Sequence, residues 1–583
     1  MGHFSTLKYF FVKNKWYYFW GIIWLLLVDV FQLIIPEILR RFTDQLQENT
    51  LTRSDLLRYG GYILLIGIGI GFFRFLWRIF IIGTSRRLEY ELRNKLFSHL
   101  LSLSTNYYTH NKTGDLMAHA TNDINAVRMA LGMGVVMMTD AVFITVVAIT
   151  MMARTTDYRL TLLALIPLPI LAVSIGRFGK VIHRRFKAVQ EAISTLTDTV
   201  QENFSGIRVV KSFVQEEDEV KKFNEKNHNL FQKNMGLVKL YGLFHPFIQF
   251  VSALSFIIVV GYGGMLVIYG DISLGDFIAF NSYLSLLVWP VMAIGWVINV
   301  MQRGTASMER LNKIFSETPE IIEDSKAISL DHFRGNIEFK QVTFKYPNSH
   351  VNALENFSIK IPEGRSLGVI GKTGSGKSSI ANLILRLYDV DEGNILIDGH
   401  PIEKLQLASL RQHIGYVDQD SFLFSTTISE NIAFGIDKYT QLEVEEAAKL
   451  AEVHDNIIDF PKKYDTYVGE RGVTLSGGQK QRVSIARSLV KKPQVLILDD
   501  SLSAVDTDTE ERILKSLKTE MRGKTNIIIA HRISTIKDCD EIIVLEEGKI
   551  LEQGTHEALL ENRKQYYELY QKQLLEEKIA SEH

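Results

Sequence analysis

The 583-residue chain has a single cysteine, Cys539, which excludes an internal disulfide framework. It has no surplus of either charge: 65 Lys and Arg stand against 66 Asp and Glu, so no global basic excess marks it as a nucleic-acid binder. It has no low-complexity tract and no repeat at the roughly 20–50-residue periods of solenoids and propellers. It shows no removable leader. The first apolar stretch is long and no small-residue cleavage site follows it, so it reads as retained. One core cannot absorb a chain of this length, and two to four domains is the expectation, at roughly 100–200 residues each.

What the chain does have is segregated. Its mean hydropathy of +0.05 is high for a protein with 22% charged residues, because the apolar runs lie in the first half and the charge is densest elsewhere. Six runs each approach the ~20 residues that cross ~30 Å of hydrocarbon as a helix: Tyr17 to Leu39, Leu56 to Ile82, Leu131 to Met152, Leu160 to Ile175, Leu243 to Ile268 and Phe277 to Val300. Lys8, Lys13 and Lys15 precede the first and argue for a cytoplasmic N-terminus. Six crossings return the C-terminus to the same side. Arg40, Arg41 and Arg53 oppose a strict positive-inside count, with Asp44 and Glu48 among them.

The long inner segments carry helical apolar spacing at Arg86–Leu103 and Ala188–Phe213, so the spans are expected to continue as helices beyond the bilayer. Polar turns at Asn106–Asp115 and near Ser205–Gly206 break them, and short transverse helices there could dock on the second half. Asp29, Glu37, Arg74, Arg78 and Asp140 fall at membrane depth, where a charge facing lipid costs ~2.5–3.5 kcal/mol. Asp29 and Asp140 are candidates for contact with a cationic cargo; an ion pair with Arg74 or Arg78 is the alternative. Methionines crowd the third span, from Met129 to Met152, as adaptable surface or as packing.

After the polar, acidic stretch Ser316–Lys326 the period changes. Strands are expected at Ile337–Val342, Phe357–Ile361, Arg365–Ile370, Asn394–Ile397, Ile414–Val417, Val495–Leu498, Asn526–Ala530 and Glu541–Leu545, with a helical insert at Gln441–Asp459. Helices between strands predict an α/β domain with a largely parallel sheet and an early β-rich part. Gly371-Lys372-Thr373-Gly374-Ser375-Gly376-Lys377-Ser378 joins a strand to a helix start. Glycines there let backbone N–H groups approach phosphates, Lys377 adds charge and the Ser378 hydroxyl can ligate Mg²⁺. Asp499 ends a buried strand beside that site, where it can hold Mg²⁺, and Asp500 follows it. His531 ends another strand, placed to bond a γ-phosphate. Leu475-Ser476-Gly477-Gly478-Gln479 opens a helix and makes a second anion-binding N-terminus.

Two phosphate-binding helix starts suit a head-to-tail dimer, and here the chain resembles an ATP-binding cassette exporter half-transporter along essentially its whole length. The most specific motif is Leu475–Gln479. The resemblance implies a two-part fold: an all-α, six-span transmembrane domain of the type IV exporter kind at 1–315, a linker at 316–333, an α/β nucleotide-binding domain at 334–573 and a tail at 574–583. It implies ATP and Mg²⁺ as cofactors. It implies that Tyr346 stacks on adenine, that Gly371, Thr373, Gly374, Ser375, Gly376, Lys377, Ser378 and Ser379 hold the phosphates, and that Ser476, Gly477, Gly478 and Gln479 complete a site across the dimer. Gln419, like Ser378 and Asp499, would touch Mg²⁺. Asp500, His531 and Gln419 would be catalytic. Ser503–Asp506 resembles the loop at the dimer seam, Thr466–Arg471 the exporter-specific loop, and Tyr107–Asp115 and Ser205–Val209 the coupling helices.

Two positions depart from the family pattern. Asp418 stands where proline is common, with little effect expected. Asp500 stands where the family usually has glutamate; one methylene shorter, it draws the carboxylate back, and ~1 Å can cost ~10²-fold in rate. The reading is therefore an impaired site in one half of a heterodimeric drug exporter, paired with a second half-transporter that carries a glutamate base. The cargo would be amphipathic, the place a bacterial cytoplasmic membrane with both termini inside. Lipid flipping, or a homodimeric exporter, is the runner-up. A soluble DNA-repair or translation ATPase is opposed by the six spans, and a channel or receptor is rarer on this fold.

Overall fold

The computed structural model describes residues 2–581 apart from 331, 348, 470, 471, 473 and 474. The chain divides into two compact units, Met1–Leu101 with Lys112–Glu317, and Ser102–Asn111 with Thr318–His583.

Among the described residues, six helices are long and apolar enough to cross a membrane: α1 His3–Gln47, α2 Arg53–Ser102, α3 Thr113–Thr155, α4 Tyr158–Ser205, α5 Glu216–Tyr269 and α6 Leu274–Ser316. The shortest has 43 residues, so at ~1.5 Å per residue each outruns the ~30 Å of hydrocarbon about twofold, as the amphipathic inner segments require. Thr52 and Ser273 open α2 and α6 with reciprocal capping boxes to Asp55 and Asp276. Small residues let helices touch: a Cβ on Gly275 would collide with the Arg40 carbonyl, and one on Gly304 with Ala130. The arginines that oppose the positive-inside count are partly neutralised in place. Glu37 pairs with Arg40 at 2.7 Å and Arg41 at 2.9 Å, and Arg40 also reaches Asp276 at 3.2 Å. Asp29 is 2% exposed. Neither it nor Asp140 forms an ion pair with Arg74 or Arg78 among the described residues, and each keeps one buried oxygen without a partner.

Among its described residues the second unit holds two sheets. Strands β1 Ile337–Phe344, β2 Leu354–Ile361, β4 Glu392–Ile397 and β5 His400–Pro401 form an antiparallel sheet in the order β2-β1-β4-β5. Strands β3 Ser366–Gly371, β6 Ile414–Val417, β7 Val495–Asp499, β8 Thr525–Ile529, β9 Glu541–Glu546 and β10 Lys549–Gly554 form the other, in the order β10-β9-β3-β8-β7-β6. All its pairings are parallel except that of β10 with β9. The sequence reading lacked β5 and β10. The first has two residues, and the second, Lys-Ile-Leu-Glu-Gln-Gly, is a polar edge strand. β7 is buried at all five positions, the run expected of a strand covered on both faces. The helical insert is two helices, Gln441–Leu450 and His454–Ile458. It packs with α8 Gly477–Leu489 around a core that includes Val444, Val483 and Leu496. The inner segment expected to be a turn contains a short helix, Thr105–His110. Thr105 Oγ1 donates to the Leu387 carbonyl at 3.3 Å and Asn106 Nδ2 to Glu320 at 2.6 Å, so this segment packs within the second unit.

Candidate functional site

Parallel strands β3, β8, β7 and β6 end on one edge of the sheet; Gly371 and Asp499 are the last residues of β3 and β7, and His531 and Gln419 lie two residues past the ends of β8 and β6. Ligands in open α/β sheets sit outside that edge. At β3 the chain turns through Lys372–Gly376 into α7, Lys377–Ile384. Gly374 and Gly376 have φ of +82° and +99°, conformations that L side chains rarely adopt. At Gly376 a Cβ would also strike the Ala353 carbonyl.

Lys377 is 7% exposed, and its ammonium donates to the carbonyls of Gly371 (2.8 Å) and Lys372 (2.9 Å). Burial lowers its pKa, against the opposing pull of Asp499 and Asp500. Asp499 is 2% exposed; burial raises its pKa first, the charges of Asp418 and Asp500 add to that, and Ser378 and Lys377 oppose it. Asp499 Oδ2 and Ser375 Oγ are buried without a partner. Buried polar groups are ordinarily satisfied, so these two orphans beside a glycine cradle and a buried cation are what a bound polyanion and its metal would complete. The residues present therefore fit ATP and Mg²⁺: Ser378 and Asp499 would hold the metal, and the loop and Lys377 the phosphates.

Tyr346 is half-buried against Phe344 and Tyr388. Its hydroxyl bonds Ser379 Oγ (3.0 Å) and accepts from Asn382 Nδ2 (3.0 Å), so Ser379 positions the ring that would face adenine. Thr373, Gln419 and His531 are exposed at this edge. Asp500 lies in the left-handed region, φ +44°, with its N–H on the Ile529 carbonyl at 2.8 Å. Asp500 and His531 line one cavity of about 120 Å³.

The motif Leu475–Gln479 is built elsewhere. Ser476 caps α8, accepting from Gln479 N (3.2 Å) while its own N–H donates to Gln479 Oε1 (3.0 Å). Gly478 abuts the Ala504 carbonyl, and Gln481 ties Ser503 and Ala504 to α8. Ser476 and Gly477 are exposed. Among the described residues no hydrogen bond joins Ser476–Gln479 to Gly371–Ser379, and the two sit over different cores. Of Thr466–Arg471, Glu470 and Arg471 lie outside the described residues.

Three positions carried no sequence signal. Gln573 sits in the last helix, Gln565–Ser581, which runs through the segment expected to be a tail. It donates to the His531 carbonyl at 2.7 Å and accepts from Ile533 N at 2.8 Å. Glu510, 3% exposed, accepts from Arg532 and Thr535. Asn382 holds Tyr346. Each acts through residues distant in sequence, which a single chain's spacing does not reveal.

Residues 18–291 match the family described as ABC transporter transmembrane region, and residues 354–503 the family described as ABC transporter. A probable multidrug resistance ABC transporter ATP-binding/permease protein, YheI of Bacillus subtilis, is 40% identical over 575 residues, covering 98% of each chain. An ATP-dependent lipid A-core flippase of Syntrophus aciditrophicus is 36% identical over 520 residues, covering 89% of this chain and 86% of its own. Among solved structures, a bacterial Atm1-family ABC exporter with ATP bound superposes with a TM-score of 0.78 at 28% identity, covering 96% of this chain and 98% of that one.

Proposed function

The chain belongs to the ATP-binding cassette transporters as an exporter half-transporter, a multi-pass membrane ATPase, and from that premise we propose that it is the impaired-site half of a heterodimer that exports amphipathic compounds across a bacterial cytoplasmic membrane. The observation that carries the reading is the pairing of a short acid, Asp500, with an intact Ser476–Gln479 whose first two residues, Ser476 and Gly477, are exposed. The chain's own loop would hold nucleotide beside a weak base, while its α8 N-terminus completes a partner's site that has a glutamate.

Each residue then has a task. Lys377 and the N–H groups of the glycine turn would bind phosphate oxygens, Ser378, Asp499 and Gln419 would hold Mg²⁺, Tyr346 would offer its ring to adenine, and His531 would reach the terminal phosphate. When bound, ATP would supply the phosphoanhydride whose hydrolysis resets the pair, and Mg²⁺ would offset the charge on its phosphates. Nucleotide binding favours the closed dimer by its differential affinity for that state. The apolar tip Val209, Phe213 and Val214, 61–80% exposed, offers a contact that a second chain can cover. Both termini face the cytoplasm in this reading.

The multidrug name of the YheI relative supports drug-like cargo, and Asp29 and Asp140 suit cationic members of that class. The lipid A-core flippase relative supports a second reading, lipid flipping. Dye accumulation in inside-out vesicles with drug-stimulated ATPase is expected for the exporter; a response to a lipid headgroup instead favours the flippase. The assembly is tested by purifying the chain without a partner. It should show little drug-stimulated ATPase, and vigorous turnover by the chain alone would sink the heterodimer.

A further inference from the structure

A larger cavity, of about 660 Å³, lies behind the one that Asp500 and His531 share. That volume falls in the ~300–1,000 Å³ range of small-molecule sites. The helix Thr507–Glu520, strands β7 and β8 and the segment 534–540 enclose it. Its floor is apolar: Leu496, Leu514, Leu517, Met521 and Ile528. Its rim is basic. Lys515, Lys518, Arg522 and Lys537 line it, all exposed, and none forms an ion pair among the described residues.

The acids at the rim do not neutralise these cations. Glu510 is committed to Arg532 and Thr535, and Asp540 accepts from Arg365 at 3.0 Å and Ser366 at 2.8 Å. That leaves Glu511 and Asp538 to face four positive side chains. An apolar floor under a rim with surplus positive charge selects an apolar body with an anionic end. Leu498, Glu510, Ile528 and Thr535 line both cavities. Glu510 and Thr535 also fix the segment that carries His531, so whatever fills the larger cavity presses on the wall of the smaller.

We propose that this cavity is a regulatory site for a small amphipathic anion, a single apolar body bearing one carboxylate, sulfonate or phosphate, whose binding shifts the Glu510–Thr535 wall and with it the His531 segment. The proposal concerns one unit of one chain and does not depend on what the transporter exports or on how its two sites share hydrolysis.

Cys539 lines the cavity and is the chain's single cysteine, which makes it a built-in reporter. Burial raises its thiol pKa to about 12, so reaction is slow and the comparison is of rates. The full chain, in the dimer it forms in phosphatidylcholine nanodiscs, alone or with a second half-transporter, is treated with sulfonatoethyl or trimethylammonioethyl methanethiosulfonate, and the mass of this chain is followed. The anionic reagent should react faster by about tenfold or more, as a basic rim concentrates anions. Octanoate, the probe ligand, should slow both reagents and change the ATP turnover of the pair. In the double variant Lys515→Glu, Lys518→Glu the preference should reverse and both octanoate effects should vanish. Leu514→Trp, which fills the floor without altering charge, should abolish both octanoate effects while leaving the preference between the two reagents in place. Equal rates for the two reagents, no protection by octanoate, or an octanoate effect on turnover that survives in the double variant would each overturn the proposal.

Discussion

Asp500 illustrates how much one methylene decides. Its backbone is left-handed at φ +44° and its N–H is tied to Ile529, so the side chain cannot advance by a backbone shift without breaking β-sheet contacts. Aspartate is among the non-glycine residues that tolerate this conformation; glutamate tolerates it less well but reaches farther. Asp500→Glu in the assembled pair is expected to raise turnover at this chain's own site by about tenfold or more, since ~1 Å in placement is worth up to ~10²-fold. Single-turnover hydrolysis of nucleotide trapped at this site measures it, and an unchanged rate would mean that Asp500 is not what limits the site. Asp499 makes a separate case. It is buried with one oxygen unpartnered and with Asp418 and Asp500 nearby. Burial and those two like charges disfavour its ionised form, a penalty that the neutral, isosteric asparagine escapes. Asp499→Asn should therefore raise the thermal midpoint of the nucleotide-free protein by a few degrees, at ~2–4 °C per kcal/mol, while the added stabilisation by Mg²⁺ and ATP is lost. Differential scanning fluorimetry with and without Mg²⁺ and ATP reads both effects.

At the scale of elements, the parts that were legible in the sequence are those whose physics is local. Strands β3, β7 and β8 are short apolar runs that end in Gly371, Asp499 and Ile529, which lies two residues before His531, and buried parallel strands must read that way. The six spans were legible for a similar reason, because a bilayer demands continuous apolar length. What escaped depends on pairing across the chain. β10 is polar, since it is an edge strand held by β9 alone. The Gln565–Ser581 helix overran the expected tail because its anchor, Gln573, is specified by backbone groups 40 and more residues away. That anchor yields a prediction for the element. Gln573→Leu removes two side-chain bonds to the backbone on either side of Arg532, at ~0.5–1.5 kcal/mol each. The Ile533 amide should then exchange with solvent roughly tenfold faster, because ~1.4 kcal/mol is a factor of ten. Gln573→Glu, which keeps an acceptor for Ile533 N, should protect that amide more than Gln573→Leu does. Equal exchange in all three proteins would show that the helix does not hold the segment.

On the scale of the whole molecule, the loop Gly371–Ser378 and the motif Leu475–Gln479 belong to one unit but not to one site. The first opens α7 at the sheet edge, over a core shared with β1, β3 and β8. The second opens α8, over the separate helical core, with Ser476 and Gly477 facing solvent. A lone chain leaves both helix N-termini incomplete, each with donors directed at an anion that only one of them has the lysine to retain. A head-to-tail pair completes both, and the two completed sites need not be equal. In the proposed heterodimer the site that turns over joins the partner's phosphate loop to this chain's Ser476–Gln479, whereas this chain's Lys377 serves the slower one. Two substitutions in the same chain should therefore differ sharply. Ser476→Arg places a bulky cation where a partner's nucleotide must approach, and it should reduce steady-state ATPase of the pair by about 10²-fold, the usual loss when a phosphate-facing donor is removed from a preorganised site. Lys377→Ala should weaken nucleotide retention at this chain's loop yet leave most of the turnover. A homodimer cannot show this contrast, because in it every hydrolytic event uses both Lys377 and Ser476, and the two variants would fail together. Steady-state phosphate release from the two variant pairs, measured beside the wild type at saturating Mg²⁺ and ATP, separates the two assemblies without knowledge of the cargo.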